Sequence, residues 1–234
     1  MRGGARVAVL IPALDEEGSI GQVIDAIPGW VDEVLVVDNG STDGTAAVAR
    51  EHGARVVRET ERGYGAACLR GLSALQGAEV VVFLDADQAD RPEEMDRLVD
   101  PIVEGQADMV VGSRVRGERE PRALTPQARF GNWLACGLMR LLFGVRYTDL
   151  GPFRAVRRAA LDELRMRDRS YGWTVEMQVR AAQRGLRARE VPVSYRRRRV
   201  GRSKVSGSLR GVVGAGVKIL GTIAVLSLRE RSGW

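Results

Sequence analysis

Apolar residues in the first 112 positions fall into short, nearly unbroken runs rich in β-branched side chains. They are VAVLI from Val7, EVLVV from Glu33, ARVV from Ala54, EVVVFL from Glu79 and ADMVV from Ala107. Such runs, without alternating polar positions, predict strands buried on both faces of a parallel sheet. Between them apolar residues recur at helical spacing over 19–27, 42–52, 64–76 and 92–103, punctuated by Gly53, Gly77 and Gly105. Alternation of this kind predicts an α/β fold with a doubly wound sheet.

The pattern changes after Ser113. Residues 113–126 are polar and rich in Arg, Gly and Pro, a loop of the length that often serves as a lid. Helical spacing returns over 127–143, in a helix running through Leu164, and over 173–183. The segment LRAREVPVSY from Leu186 reads as a strand and leads into Arg196, Arg197, Arg198 and Arg199. The tail over 206–228 is apolar, with Arg210 and Lys218 interspersed.

A chain of 234 residues suits one large domain. Its start runs directly into the first strand with no signal-peptide pattern, so a secretory leader is not expected. The two cysteines, Cys68 and Cys136, lack metal-site spacing and fit a reducing cytoplasm. His52 is the only histidine, which argues against a histidine metal site or a catalytic triad. Charge is uneven: Lys and Arg total 36 against 30 Asp and Glu, with acids concentrated early and bases from Arg114 onward. That asymmetry points to an anionic partner for the second half or to a solvated basic face.

In open α/β sheets ligands bind at the carboxyl ends of strands, and there the acids cluster. Asp15, Glu16 and Glu17 follow the first strand, Asp38 and Asn39 the second, and Asp85, Ala86 and Asp87 the fourth. Two carboxylates two residues apart can hold Mg²⁺ or Mn²⁺, with substrate phosphates completing the shell; the bland alternative is an Asp-rich turn. In VVDNGSTDGT, Asp38 or Asn39 either meets a nucleobase or ribose or belongs to a capped strand–helix turn. In ERGYGAA, Gly63 and Gly65 permit close backbone approach to a ligand, or simply turn the chain into a helix. The full G-x-G-x-x-G fingerprint and the P-loop pattern are both absent.

IPALDEEGSI, VVDNGSTDGT, RGYGAA and VVFLDADQ, in this order, resemble the inverting family 2 glycosyltransferases of the GT-A fold. VVGSR ending at Arg114, TDLGPFRAV from Thr148 and RRVGRSK ending at Lys204 are similar to the branch containing dolichyl- and polyprenyl-phosphate mannose or glucose synthases. The resemblance implies a GT-A-like doubly wound, mixed, mostly parallel sheet flanked by helices. It implies a nucleotide-binding half over 1–112, an acceptor half over 113–205, and a C-terminal amphipathic helix and tail over 206–234. Pro12, Leu14 and Glu16 would line the base pocket and Asp38, with Asn39 beside it, would read the base or ribose. Gly63 and Gly65 would border the nucleoside, and Asp85 and Asp87, flanking Ala86, would hold the metal on the diphosphate. Arg198 and Lys204 would contact donor diphosphate or acceptor phosphate, with Arg114 and Ser203 completing the donor-binding set. The chain departs from the family pattern at Leu14, at Asp15, at Gln88-Ala89-Asp90, and in being one residue shorter around Asp149.

The expected reaction moves a hexose from a UDP- or GDP-sugar, with inversion, to polyprenyl phosphate or another anionic acceptor. An alcohol acceptor needs a general base, and Asp149 or Glu176 would have to serve; Glu176 equally suits pairing with an arginine. A phosphate acceptor is already anionic and needs none. The tail is expected either to lie on a membrane surface, at the cytoplasmic face, or to pack on its own domain. Nucleic acid is not an expected partner, because strand-end acids repel a phosphate backbone. A sugar nucleotidyltransferase is the more distant enzymatic alternative, and self-association is left open.

Overall fold

The computed structural model describes residues 1–200 and 209–231. Seven strands form one sheet: β1 (Val7–Ala13), β2 (Glu33–Asp38), β3 (Arg55–Arg58), β4 (Val80–Phe83), β5 (Met109–Ser113), β6 (Arg154–Arg157) and β7 (Ala188–Pro192), in the order β3-β2-β1-β4-β6-β5-β7. The first four are mutually parallel. β6 runs antiparallel to both β4 and β5, and β7 returns parallel to β5. The sheet is mixed and mostly parallel, as the pattern and the resemblance implied.

The apolar runs are continuous because the central strands are covered twice. In β1, Val7, Val9, Ile11 and Ala13 enter one core, while Ala8 and Leu10 enter the other. The first core is closed by α1 (Ile20–Asp25), α2 (Thr45–Glu51) and α4 (Asp96–Val103), which bury Val23, Ala49, Leu98 and Ile102. The second is closed by α3 (Tyr64–Ala74), α6 (Arg158–Leu164) and α7 (Trp173–Gln183), which bury Ala67, Leu161, Trp173 and Met177. A third, smaller cluster joins α5 (Pro126–Phe143), α7 and α8 (Leu209–Arg231) through Cys136, Met139, Val175, Val179, Ile223 and Leu226. Cys68 and Cys136 are buried free thiols.

The first three predicted helices are present with shorter ends, whereas 173–183 is matched by α7 and 127–143 begins one residue earlier in α5. The stretch 92–103 divides into a 3₁₀ turn (Pro92–Glu94) and α4. Strand β6, inside TDLGPFRAV, is the element the pattern did not mark, because it is short and opens on a fully buried Arg154. That guanidinium satisfies itself on backbone carbonyls, donating to Gly151 O at 3.0 Å and Thr174 O at 2.9 Å. Burial lowers its pKa to about 10. The 113–126 loop is tied down at its middle: Glu120 N donates to Tyr195 O and Tyr195 N to Glu118 O.

Candidate active site

The carboxyl ends of β1, β2 and β4 open into a cavity of about 340 Å³. Pro12, Leu14, Glu16, Asn39, Arg62, Gly63, Asp85, Ala86, Asp87 and Arg198 all reach it. These pieces come from separate turns of the sequence, and parallel strands gather them because every such turn emerges on the same edge.

The cavity is acidic at its floor. Burial first, and the neighbouring charge of Asp87 second, push Asp85 up to about 7. Glu16 is raised by burial, against the pull of Arg198. Arg198 bridges the two sides, bonded to Glu16 and 3.5 Å from Asp87 Oδ2. Asp87 Oδ1 accepts from Ala89 N at 3.0 Å. Behind them lies Asp90, buried, with neither carboxylate oxygen paired among the described residues. Burial and, next, Asp85 hold it well above the usual carboxylate range. Sequence reading noted Asp90 only as a departure from the family pattern; its burial was invisible there.

Other predicted donor residues take supporting positions. Asp38 does not line the cavity; its Oδ1 accepts from Ser41 N at 2.9 Å, the turn-forming alternative. Asn39 braces the glycine turn, accepting from Gly63 N at 2.8 Å and donating to Glu61 O at 2.7 Å. The glycines make close approaches, but to protein. A Cβ on Gly65 would sit 2.0 Å from Asp168 O, and one on Gly63, whose φ is +148°, 2.1 Å from Arg169 O. The segment they admit carries Ser170 and Tyr171, which form the far wall of the cavity and which sequence reading missed. Asp168 shapes that wall, accepting from Ser170 N and Gly172 N and pairing with Lys218 of α8 at 2.8 Å.

The predicted bases are committed elsewhere. Asp149 is fully buried and held by Arg114 through Nε at 2.8 Å and Nη2 at 2.7 Å, with the Arg114 backbone N–H on Oδ2 as well. Arg114, placed with the donor-binding residues from sequence, therefore stands outside the donor cavity. Its guanidinium also lies over the Tyr195 ring, 5.0 Å from the centroid. Glu176 is buried and accepts from Arg167 N, Asp168 N and Arg180 Nε, the arginine pairing rather than a base. Ser203 and Lys204 lie outside the described residues.

A second, wider groove of about 860 Å³ runs along α5, on the other side of Arg114. Arg114, Arg119, Arg129, Arg140 and Arg146 line it together with Leu124, Phe130 and Trp133. No carboxylate contributes to its lining.

Residues 8–165 match the family model described as glycosyl transferase family 2. The chain belongs to this family. An uncharacterized glycosyltransferase of Mycobacterium tuberculosis is 42% identical over 212 residues, covering 90% of this chain and 94% of its own. An undecaprenyl-phosphate mannosyltransferase of Micrococcus luteus is 33% identical, covering 91% of each. Among solved structures, glucosyl-3-phosphoglycerate synthase of M. tuberculosis, in complex with Mn²⁺, UDP and glucosyl-3-phosphoglycerate, superposes with a TM-score of 0.77. It is 28% identical, over 97% of this chain and 81% of that one. The protein is thus a family 2 glycosyltransferase with a GT-A-like fold.

In a family 2 enzyme the donor cavity has to accept a nucleoside diphosphate and its cation. The donor set fits a hard divalent ion. Asp85 and Asp87 present carboxylates two residues apart in a site whose bridging cation is Arg198. Among the described residues no cluster of three or more His, Cys, Asp or Glu could hold a metal alone. Asp85 and Asp87 would supply two ligands, with diphosphate oxygens and water filling the remaining positions, the usual habit of Mg²⁺.

Proposed function

We propose that the enzyme transfers a hexose from a UDP- or GDP-sugar to a polyprenyl phosphate, with inversion. The observation that carries this reading is the pairing of Arg114 with Asp149. It occupies Asp149, one of the two candidate bases, and stands at the edge of a groove whose charges are all positive. An alcohol acceptor would need a free base. A phosphate monoester brings its own anionic oxygen, and arginines are the side chains best shaped to hold it. The groove's apolar lining by Leu124, Phe130 and Trp133 suits the first carbons of a lipid chain.

In this reading the nucleoside lies between Pro12, Leu14 and the Ser170–Tyr171 wall. Asp85 and Asp87 would hold Mg²⁺ or Mn²⁺, which when bound neutralises charge on the departing diphosphate. Arg198, and Lys204 with Ser203 beyond it, meet the diphosphate. An acceptor phosphate oxygen attacks the anomeric carbon from the face opposite the leaving group. One C–O bond forms, the C–O bond to the diphosphate breaks, and the nucleoside diphosphate departs.

A second reading keeps the donor and takes a small soluble phosphorylated acceptor. The structural relative holding glucosyl-3-phosphoglycerate favours it, since the same arginines would suit a phosphate without a lipid tail. The deciding experiment measures nucleoside-diphosphate release from UDP- and GDP-sugars with Mg²⁺ or Mn²⁺, comparing a short polyprenyl phosphate in detergent with 3-phosphoglycerate. Stimulation by the lipid phosphate alone supports the first reading. Stimulation by the soluble phosphate alone replaces it with the second, and no release with any donor refutes both.

A further inference from the structure

Helix α5 turns an apolar stripe to solvent. Phe130, Trp133, Leu134, Gly137 and Leu141 recur at helical spacing, with Phe130 62%, Trp133 68% and Leu141 78% exposed. The two rings stand 5.9 Å apart, centroid to centroid. The opposite side of the helix is accounted for, since Ala135, Cys136 and Met139 are buried against α7 and α8.

The neighbouring α8 repeats the arrangement. Ala215, Ile223 and Leu226 are buried, whereas Val217, Leu220, Val225 and Leu228 face outward at the same helical spacing, Val217 being 68% exposed. Sequence reading offered two fates for this helix, packing on the domain or lying on a membrane. The structure gives it a packed face and an unpacked one.

Around α5 the charge in the sequence has one sign, whereas on α8 Lys218 is paired with Asp168 at 2.8 Å. From residue 121 to 148, and again from 209 to 228, the sequence contains no Asp or Glu, yet Arg122, Arg129, Arg140, Arg146 and Lys218 are there. Arg129, Arg140 and Arg146 are exposed, with no ion-pair partner among the described residues. No helix of the described residues is long and apolar enough to cross a membrane. An exposed apolar patch with a cationic border and an aromatic pair at its edge matches the chemistry of a helix lying in an anionic bilayer surface.

We infer that the outward faces of α5 and α8 together form a docking surface for an anionic lipid bilayer, laying the arginine groove along the headgroups. A second copy of the chain is the rival occupant. A twofold interface would press this face against its own copy, and 121–148 holds no acid to answer Arg129 and Arg140, whereas anionic headgroups neutralise them. The inference goes beyond the acceptor reading: it shares Phe130, Trp133 and the arginines with the groove, but Leu141, Val217, Leu220 and Val225 lie outside it.

The test uses the full chain in co-sedimentation with vesicles of phosphatidylglycerol and phosphatidylcholine, and of phosphatidylcholine alone. The variant is Leu141→Ser with Val217→Ser, two exposed positions outside both the donor cavity and the arginine groove. Binding to anionic vesicles that weakens with salt, and that drops about tenfold or more in the variant with melting temperature unchanged, is the expected result. Failure of the wild type to bind either vesicle, or equal binding by the variant, overturns the inference. A wild-type dimer that the variant converts to monomer overturns it in favour of the second copy. Nucleoside-diphosphate release with a detergent-solubilised acceptor, measured on both proteins, reports on the acceptor reading separately and is expected to be equal.

Discussion

The two halves of this enzyme are held together differently, and the difference decides which charges remain available. The first, β1 to β4 with their helices, is assembled from continuous apolar strands whose side chains enter two cores. Its ion pairs, such as Arg2 with Asp100 and Arg55 with Glu33, are partly exposed, and Asp85, Asp87 and Glu16 collect at the cavity. The second, around β5, β6 and β7 with α5 and α7, carries more deeply buried ion pairs: Arg114 with Asp149, Arg180 with Glu176, and Asp108 with both Arg157 and Arg187. Those staples take up the buried carboxylates and leave arginine in surplus along α5. The cavity at the ends of β1, β2 and β4 is therefore lined by acids and the α5 groove by bases.

The sharpest way to break this comparison is Asp149→Asn. As a staple, its loss leaves Arg114 charged and poorly compensated, a change that costs about 3–5 kcal/mol of stability for a buried pair. Urea denaturation should register that loss. A variant of full stability with a collapsed kcat and an altered pH–rate profile would instead make Asp149 the base, and the phosphate-acceptor argument would lose its footing.

Asp87→Ala probes the other half. The prediction is a fall in kcat of about 10²–10³, the scale of removing one preorganised charge-stabilising group, with weakened Mn²⁺ binding by calorimetry and a nearly unchanged melting temperature. Strong destabilisation would mean that this carboxylate, too, belongs to the scaffold.

Gly65→Ala tests the wall between the halves. Its new methyl would overlap Asp168 O, a backbone atom that cannot rotate away. Overpacking of this kind costs about 1–3 kcal/mol. Because the displaced segment carries Ser170 and Tyr171, the KM for the donor should rise several-fold more than kcat falls. An unaltered donor KM would show that the wall does not touch the nucleotide.

The same contrast explains what could be read from the chain. Unbroken apolar runs between helical patterns are a physical signature of parallel strands covered on both faces, so β1 to β5 and the clustering of Asp85, Asp87 and Glu16 were legible. The second half hides its order in pairings between residues far apart. Nothing local distinguishes Asp149, locked by an arginine 35 positions earlier, from a free base. Nor does the sequence around Arg154 announce a buried strand, since a fully buried arginine is rare. Gly63 and Gly65 were rightly marked as close-approach positions, but spacing alone does not say whether ligand or protein approaches. The exposed face of α5 was missed because a helix of ordinary apolar content gives no sign of which stripe the fold leaves uncovered.

The smallest effect is expected at Asp108, and it separates the halves by pH. Hydrogen bonds from Arg187, and next its backbone N–H and Arg157, hold this carboxyl well below the usual carboxylate range. A depressed folded pKa contributes stability that is fully present above the unfolded value, about 4, and is lost as pH falls through the folded value. Asp108→Asn should therefore cost about 1–3 kcal/mol at pH 7, and the gap from wild type should narrow steadily below pH 4. Hydrogen exchange should locate that loss in β5, β6 and β7, where Asp108, Arg157 and Arg187 meet, and leave β1 and β2 protected. A gap independent of pH would mean that the carboxylate charge is not what staples this part of the sheet, and the contrast between an apolar half and an ion-paired half would fail at its most quantitative point.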